Sequence, residues 1–361
     1  VTEPPPRAWA EIDRSALHHN LKLARQHSGK NIMAVIKGGA YGHGLIEIAK
    51  ELDKLNLPFL GVANTGEARC LSTEGIKTRP YILGATLQSE REEIAACGWT
   101  PCLCSLEEIE HFNQLGKNSP IEAHLAIDTG MGRGGFLPHQ IGEALKKLRE
   151  ASGIKLTGVG SHLPVADEDP VFTHKQFELF DSIVESIPGR DEKFHVHLSN
   201  SAGLLDYHSR TTNLVRPGLL IYGISPLPAH QEFLRPVMTF KSRVSVINHL
   251  PKGHGVSYGR TILERDTKAA ILGLGYGDGY PRSLSGKGTS VVLNNSLCPL
   301  LGRVTMDQII VDVTELDECH PGDEAELFGS NLLVSDLAKK AGTIPWEILT
   351  QITPRVTRVY R

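Results

Sequence analysis

Five polar or charged groups in this chain stand where an apolar, β-branched run ends. Lys37 closes Met33-Ala34-Val35-Ile36-Lys37, and a second run leads into Asp128-Thr129-Gly130-Met131-Gly132-Arg133. His162 ends a third run, Asn200-Ser201-Ala202 follows a fourth, and Arg216-Pro217-Gly218 follows a fifth. A lysine at the end of a buried strand is desolvated, which lowers an amine's pKa toward its neutral, nucleophilic form. Lys37 could therefore form a Schiff base with an aldehyde. Taken alone, a lysine whose stem packs while its head reaches solvent is the commoner arrangement. The stretch Gly38-Gly39-Ala40-Tyr41-Gly42-His43-Gly44 shifts the balance toward a ligand site, because glycines let backbone approach a ligand closely. Ser201 and Gly218-Leu219 follow the last two runs, where barrels place phosphate-binding N–H donors, although Ser201 alone reads equally as a helix cap. Tyr258 alone reads as a core or hairpin tyrosine.

These groups need a scaffold that gathers strand ends. From about residue 30 to 225, short β-branched runs alternate with segments of helical period, the pattern of repeated βα units around a parallel sheet. The strands are predicted at Ile32–Lys37, Phe59–Ala63, Pro80–Gly84, Pro101–Cys104, Ile121–Asp128, Lys155–His162, Phe194–Leu198 and Asn213–Val215. Eight units match a closed (β/α)8 TIM-type barrel, whose chemistry gathers at the C-terminal strand ends. Leu45, Ile48, Ala49, Leu52 and Leu55 share one helical face, as do Phe177, Phe180, Val184 and Ile187. Ser105 with Glu108 predicts a capping box. After about Pro226 the chain changes to alternating strands such as Thr239–Val246 and Thr289–Leu293 between Gly-, Pro- and Asn-rich turns. The expected architecture is α/β: a barrel over 10–228 and a C-terminal β-rich domain over 229–361, with residues 1–9 packing against the latter.

With 361 residues, the chain is long enough for two cores, and 40% hydrophobic content with a net charge of −3 lacks the basic excess of a nucleic-acid binder. No nucleic acid is expected as a partner. No apolar run approaches the roughly 20 residues that span a bilayer, so no membrane is expected either. Val1-Thr2-Glu3-Pro4-Pro5-Pro6-Arg7 does not read as a signal peptide. Cys70, Cys97, Cys102, Cys104, Cys298 and Cys319 show neither zinc spacing nor a secreted disulfide framework, so reduced thiols, a cytoplasmic location and no metal are expected. The glycines after Lys37 and Gly275-Tyr276-Gly277-Asp278-Gly279 do not match a dinucleotide or P-loop fingerprint.

Assembled, these residues resemble the alanine racemase family, in the barrel-type (fold type III) class of pyridoxal-phosphate enzymes. Ala34 to Gly44 is similar to its cofactor-lysine signature, and Asp128–Phe136, Val215–Gly223, Gly255–Thr261, Leu274–Arg282 and Gly302–Asp312 resemble its other blocks in order. The resemblance implies interconversion of L- and D-alanine with pyridoxal 5′-phosphate joined to Lys37. It further implies that Tyr41, Ser201 and the Gly218 and Leu219 amides hold the phosphate, and that Arg216 faces the pyridine nitrogen. A protonated guanidinium there donates a hydrogen bond and weakens the electron sink. Arg133 and the Met306 N–H would hold the substrate carboxylate. Tyr258 would be the second base, supported by His162 and through it Arg216, while Asp167, Tyr276, Arg282 and Arg303 would lie along the substrate entrance. Racemisation removes a proton from one face and returns one on the other, so two bases are needed. The resemblance also implies a homodimer with shared active sites.

Two departures stand out. Some members carry a carboxylated lysine two residues before the Asp128 block, where this chain has Ala126, so a bound anion is expected to stand beside Ala126 and Arg133 instead. Some place a phosphate-contacting tyrosine where this chain has Pro354. The competing readings are a racemase of serine, lysine or a broader set of amino acids, a non-catalytic cofactor carrier, and a barrel-type decarboxylase or aldolase. The Tyr258 block counts against the carrier. Arg216 counts against the decarboxylase, which needs a strong electron sink.

Overall fold

The computed structural model describes residues 5–361. Strand β1 (Ala8–Ile12) precedes eight short strands: β2 (Asn31–Val35), β3 (Phe59–Val62), β4 (Pro80–Ile82), β5 (Cys102–Leu103), β6 (Ile121–Ala126), β7 (Ile154–Gly160), β8 (His195–His197) and β9 (Leu214–Val215). All eight lie in one parallel sheet ordered β4-β3-β2-β9-β8-β7-β6-β5. The ring closes through Thr100, whose amide donates to the Pro80 carbonyl and whose carbonyl accepts from the Ile82 amide, both at 3.0 Å. Every predicted barrel strand is present, and all but the last, which ends at Val215 as expected, stop short of their expected C-terminal residue, because those residues leave the ladder to build the mouth. Lys37 begins a turn instead of ending a strand.

The predicted helical faces are buried as the spacing requires. Helix Leu45–Asp53 buries Ile48, Ala49 and Leu52, and helix Pro170–Glu185 buries Phe177, Phe180 and Val184. The capping box at Ser105 is only half formed. Ser105 Oγ accepts from the Glu108 amide at 3.1 Å, but the Glu108 carboxylate accepts from the amides of Thr86 (2.7 Å) and Cys104 (2.6 Å). It ties two neighbouring mouth loops together.

The barrel interior carries an unexpected polar layer. Gly158 and Gly160 alternate on β7, and a Cβ at either would overlap the ring of His124 or His197 respectively. Side chains two apart on a strand share a face, so these glycines clear the space into which two imidazoles project.

Short 3-10 turns at Leu219–Tyr222 and Pro228–Phe233 lead into the second sheet. Its strands are β10 (Met238–Leu250), β11 (Gly255–Val256), β12 (Thr261–Ile262), β13 (Thr267–Leu272), β14 (Ser290–Leu293), β15 (Ser296–Leu301), β16 (Ile309–Asp312), β17 (Glu324–Phe328) and β18 (Thr357–Tyr360), with β11 and β12 forming a separate hairpin. Long β10 pairs with β17 early and β13 late, so β10-β17-β14-β15-β16-β13 closes into a small antiparallel barrel. The β14–β15 hairpin turns on Asn294 and Asn295, both left-handed (φ 50° and 61°), as a two-residue hairpin turn requires. Strand β1 joins this second sheet between β10 and β18. The N-terminal segment expected there thus contributes Ala8 and Trp9, while residues 1–4 lie outside the described residues.

Candidate active site

Lys37 stands at the start of an unusual turn. Gly38, Gly39, Ala40, Tyr41 and Gly42 all have positive φ (64°, 63°, 56°, 53° and 79°), so the chain makes a left-handed helical turn. Left-handed helix costs L-residues about 1–2 kcal/mol each, and glycines at three of the five positions remove most of that cost. Handedness, rather than ligand approach alone, is what the glycines supply. The turn's leading amides, Gly38 N and Gly39 N, donate to Glu67 Oε1 at 2.7 and 3.2 Å, and Ala63 N donates to Oε2 at 2.9 Å. Burial, and after it the nearby Arg133, hold the Lys37 amine below the usual lysine range, with Glu67 opposing. That is the direction a nucleophilic amine needs.

Arg216 is buried at the end of β9, and its guanidinium is almost fully used by the protein. Nη1 donates to His197 Nδ1 at 2.6 Å. Nη2 donates to the Ser161 carbonyl (2.6 Å), the Leu198 carbonyl (3.2 Å) and His162 Nδ1 (3.2 Å). Its Nε has no protein acceptor among the described residues. His162 is pushed down to about 3 by burial and by the cations Arg216, Arg133 and Lys37, so its ring is neutral. Because Nδ1 accepts from Arg216, its proton sits on Nε2, which is left to donate.

Beside them lies a cradle of donors. Ser201 Oγ accepts from the amides of Gly218 (3.0 Å) and Leu220 (3.3 Å), and a Cβ on Gly218 would overlap the Tyr41 hydroxyl. Asn200, not Ser201, caps helix Ser201–Asp206, so the helix-cap alternative for Ser201 falls away. Burial raises the Tyr41 phenol, which keeps its proton and donates. The Tyr41 ring packs against Tyr222 at 4.9 Å between centroids, and Tyr222 Oη donates to the Val35 carbonyl at 3.1 Å. A hydroxyl pair, a Gly218 amide at a position that permits no side chain, a depressed amine and a guanidinium with a spare donor are together the chemistry that fits a phosphorylated pyridine aldehyde.

The Asp128 block is a loop built by its own carboxylate. Oδ1 accepts from the amides of Gly130 and Met131, and Oδ2 from Gly132, each at 2.8 Å. The loop presents Arg133, which is exposed, so solvent screens its charge and the anion expected beside Ala126 is not needed to keep it in place. Ala126 is buried beneath Gly135. Nearby, Cys104 Sγ lies 3.8 Å from a Cβ placed on Gly134.

The remaining candidates sit apart from this cluster. Tyr258 lies on the β11–β12 hairpin and is 72% exposed, and Met306 is 52% exposed. Ser257 Oγ donates to the Arg303 carbonyl at 2.7 Å, and Tyr276 N and Gly277 N donate to the carbonyls of Thr305 (3.0 Å) and Met306 (2.9 Å). Tyr258, Tyr276, Arg303 and Met306 are thus gathered on one end of the second barrel. Buried Asp278 braces that end, accepting from Gly275 N and from Arg355, which also pairs with Asp307. Arg282 and Asp167 are exposed, and exposed Pro354 offers no hydroxyl. Among the described residues no hydrogen bond joins this second group to Lys37, His162 or Arg216.

Glu67, His124, His197, Asp278 and Arg358 were not foreseen. The signal for the histidines was present as His124, His195 and His197 beside the alternate glycines of β7. Glu67 and Arg358 are ordinary charged residues whose roles arise only in three dimensions.

Two closed barrels joined in this order, with an amine-bearing left-handed turn and a donor cradle at the mouth of the first, define the barrel-type class of cofactor-lysine enzymes. The alanine racemase N-terminal domain model matches residues 12–226 and the C-terminal domain model matches residues 237–360. The alanine racemase of Methylacidiphilum infernorum is 39% identical over 99% of this chain and 93% of its own length. That of Halothermothrix orenii is 36% identical over 100% and 98%. The biosynthetic alanine racemase structure from Pseudomonas aeruginosa superposes with a TM-score of 0.90 at 31% identity, covering 99% of this chain and all of its own. The Bartonella henselae alanine racemase with covalently bound pyridoxal phosphate gives 0.91 at 29%, again covering 99% of this chain and 100% of its own. This chain belongs to the alanine racemase family. Among the described residues no helix is long and apolar enough to cross a membrane, and no group of three His, Cys, Asp or Glu side chains could hold a metal.

Proposed function

We propose that this chain interconverts L- and D-alanine, with pyridoxal 5′-phosphate held covalently through Lys37. The observation that carries the reading is the left-handed turn, which brings a pKa-depressed lysine into one cluster with Arg216, His162 and Arg133 at the barrel mouth. When bound, the cofactor withdraws electrons from the substrate and so acidifies its Cα proton.

The Tyr41 and Ser201 hydroxyls and the Gly218 and Leu219 amides would hold the phosphate, the Gly218 amide exchanging its bond to Ser201 Oγ for one to phosphate. Arg216 Nε–H, left without a protein acceptor among the described residues, would donate to the pyridine nitrogen and moderate electron withdrawal. Arg133 and the Met306 amide orient the substrate carboxylate. Lys37 Nζ exchanges the Cα proton on one face and Tyr258 Oη on the other. His162 Nε2–H supports the deprotonated Tyr258 oxygen as a donor, with the Arg216 charge behind it lowering the cost of a phenolate. Asp167, Tyr276, Arg282 and Arg303 line the entrance.

Since Tyr258 and Met306 are exposed and unconnected to Lys37 within one chain, the working site is completed by a second copy in a homodimer. The short Ala126 side chain near Arg133 favours a small bound anion there, which anomalous scattering from a bromide soak would reveal. The six free cysteines support a reducing, cytoplasmic setting. We place the domain boundary at 228/229, inside the segment of 3-10 turns. Loss of optical activity from L-alanine, with and without added cofactor, tests the activity. Borohydride reduction followed by peptide mapping tests the residue, and labelling of any other lysine would exclude Lys37. A substrate panel including serine and lysine measures whether the short Ala126 side chain broadens specificity.

A further inference from the structure

The turn that carries Lys37 is held at both ends, and the second hold comes from the far end of the chain. Glu67 gathers its leading amides. Its trailing carbonyl, Gly42 O, accepts from Arg358 Nε (3.1 Å) and Nη2 (3.0 Å). The same guanidinium donates to the carbonyls of Ile352 (2.7 Å), Thr353 (2.6 Å) and Val356 (2.8 Å), so all five of its bonds end on backbone oxygens and none on a carboxylate. Next to it, Tyr360 Oη donates to the His43 carbonyl at 3.0 Å, and the neutral His43 ring donates from Nδ1 to the carbonyls of Ala40 (3.0 Å) and Tyr41 (2.9 Å). The glycine spacing matches this docking. A Cβ on Gly42 would overlap the Leu349 carbonyl, one on Gly44 would overlap the Tyr360 hydroxyl, and one on Gly38 would press Thr350 Cγ2 at 3.3 Å.

We infer that Arg358 is a positioning residue for Lys37: it locks the strained left-handed turn against the 349–360 segment, so that the C-terminal domain sets the direction of a lysine carried by the barrel. This rests on the reading of Lys37 as the cofactor lysine. Two non-glycine residues, Ala40 and Tyr41, are left-handed in this turn, and such strain persists only when the surroundings over-determine it. Glu67 alone fixes one end. Without Arg358 the trailing carbonyl loses a charged, bidentate donor, and the turn is free to relax toward ordinary backbone angles, carrying the Lys37 Nζ away from the cradle. Linkage runs both ways, so a ligand held by Lys37 also tightens the C-terminal segment.

The test uses the cofactor-loaded enzyme and the variants Arg358→Met, Arg358→Lys and Tyr360→Phe. It reads three quantities: the rate at which hydroxylamine removes the bound cofactor, the pH at which the cofactor's absorption band changes, and amide exchange over residues 38–44. Arg358→Met is expected to lose cofactor about tenfold faster, as for a lost charge-assisted hydrogen bond, with Arg358→Lys in between. Exchange should rise at 38–44 while the Gly218 and Leu220 amides stay protected, and the absorption change should move in pH. A folded Arg358→Met protein with wild-type release, spectrum and exchange would overturn the inference. If that variant does not fold, Tyr360→Phe carries the test, with release about threefold faster expected for one neutral hydrogen bond and unchanged release overturning it. A wild-type protein that forms no chromophore at Lys37 would instead defeat the reading of the site, while raised exchange at 38–44 in Arg358→Met would still support the clamp.

Discussion

Arg216 Nη1 donates to His197 Nδ1 at 2.6 Å, and this one bond sets the direction of a whole chain of buried groups. With Nδ1 accepting, the His197 proton sits on Nε2 and is donated to His124 Nδ1 at 2.9 Å. His124 must then carry its proton on Nε2, which has no partner among the described residues. Burial, reinforced by Arg216, holds His197 well below the ordinary histidine range, and burial with neighbouring His195 and Arg216 does the same for His124. The chain therefore accepts from Arg216 without adding charge to it, and the guanidinium stays a pure donor toward the mouth.

Replacing His197 should reveal that role. His197→Phe removes the acceptor from a buried guanidinium N–H, which should cost about 1–3 kcal/mol, while His197→Gln keeps an acceptor and should recover much of the loss. Urea unfolding of the three proteins measures it. Equal midpoints would mean that Ser161 and Leu198 hold Arg216 on their own.

The left-handed turn makes a sharp distinction among its glycines. Gly39→Ala meets only the conformational cost, about 1–2 kcal/mol, since a Cβ there would touch nothing within 4 Å. Gly42→Ala adds an overlap with the Leu349 carbonyl and should be far worse, displacing either the turn or helix Pro345–Thr350. Thermal denaturation of the two variants separates the effects, and similar losses in both would argue that the clash is relieved cheaply.

Eight barrel strands, the antiparallel second half and most mouth residues were legible because each leaves a local mark: an apolar run, a turn signal, or a charged residue at a strand end. What stayed hidden is non-local. Lys37 looked like a strand's last residue because Met33 to Ile36 are apolar, whereas Ile36 already leaves the strand and five left-handed residues follow. Glu108 looked like half of a capping box, but Thr86, over 20 positions earlier, competes for its carboxylate. Arg358 carries no local pattern that predicts a bond to Gly42.

Acid should destabilise the fold earlier than its carboxylates alone would. His162 and His43 are pushed down to about 3 and about 4, chiefly by burial, and His124 and His197 are also depressed. Below the unfolded-state value of about 6.5 the unfolded chain takes up protons that these rings refuse, so stability is full above that pH and falls below it. Each ring contributes up to about 1.4 kcal/mol per pH unit across the window down to its own folded pKa. Urea midpoints measured from about pH 7.5 to about pH 5 should drop steeply. A level profile would require these rings to be protonated in the folded protein, and with them the direction of the Arg216 chain would be wrong.

The two halves of the site should prove separable by mixing. Arg216 donates to His162, and Lys37 couples electrostatically with both, whereas Tyr258 projects 72% exposed from the β11–β12 hairpin with no hydrogen bond to any of the three. A general base must come within hydrogen-bond reach of the proton it moves, so an exposed Tyr258 can serve only if another surface covers it. In a homodimer the covering surface is the partner's barrel mouth, and each site then takes its lysine from one chain and its tyrosine from the other. Lys37→Ala and Tyr258→Ala homodimers should each be nearly inactive, since each lacks one base in both sites. After subunit exchange, about half the dimers are hybrids by statistics, and each hybrid holds one site with both bases intact and one with neither. Restored alanine racemisation at about one quarter of the wild-type rate per total dimer is therefore expected once oligomers are mixed to equilibrium. Native mass spectrometry of differently tagged chains verifies the exchange independently. Proven hybrids with no recovered activity would place both bases in one chain, and would require the hairpin to fold back onto its own barrel when substrate binds.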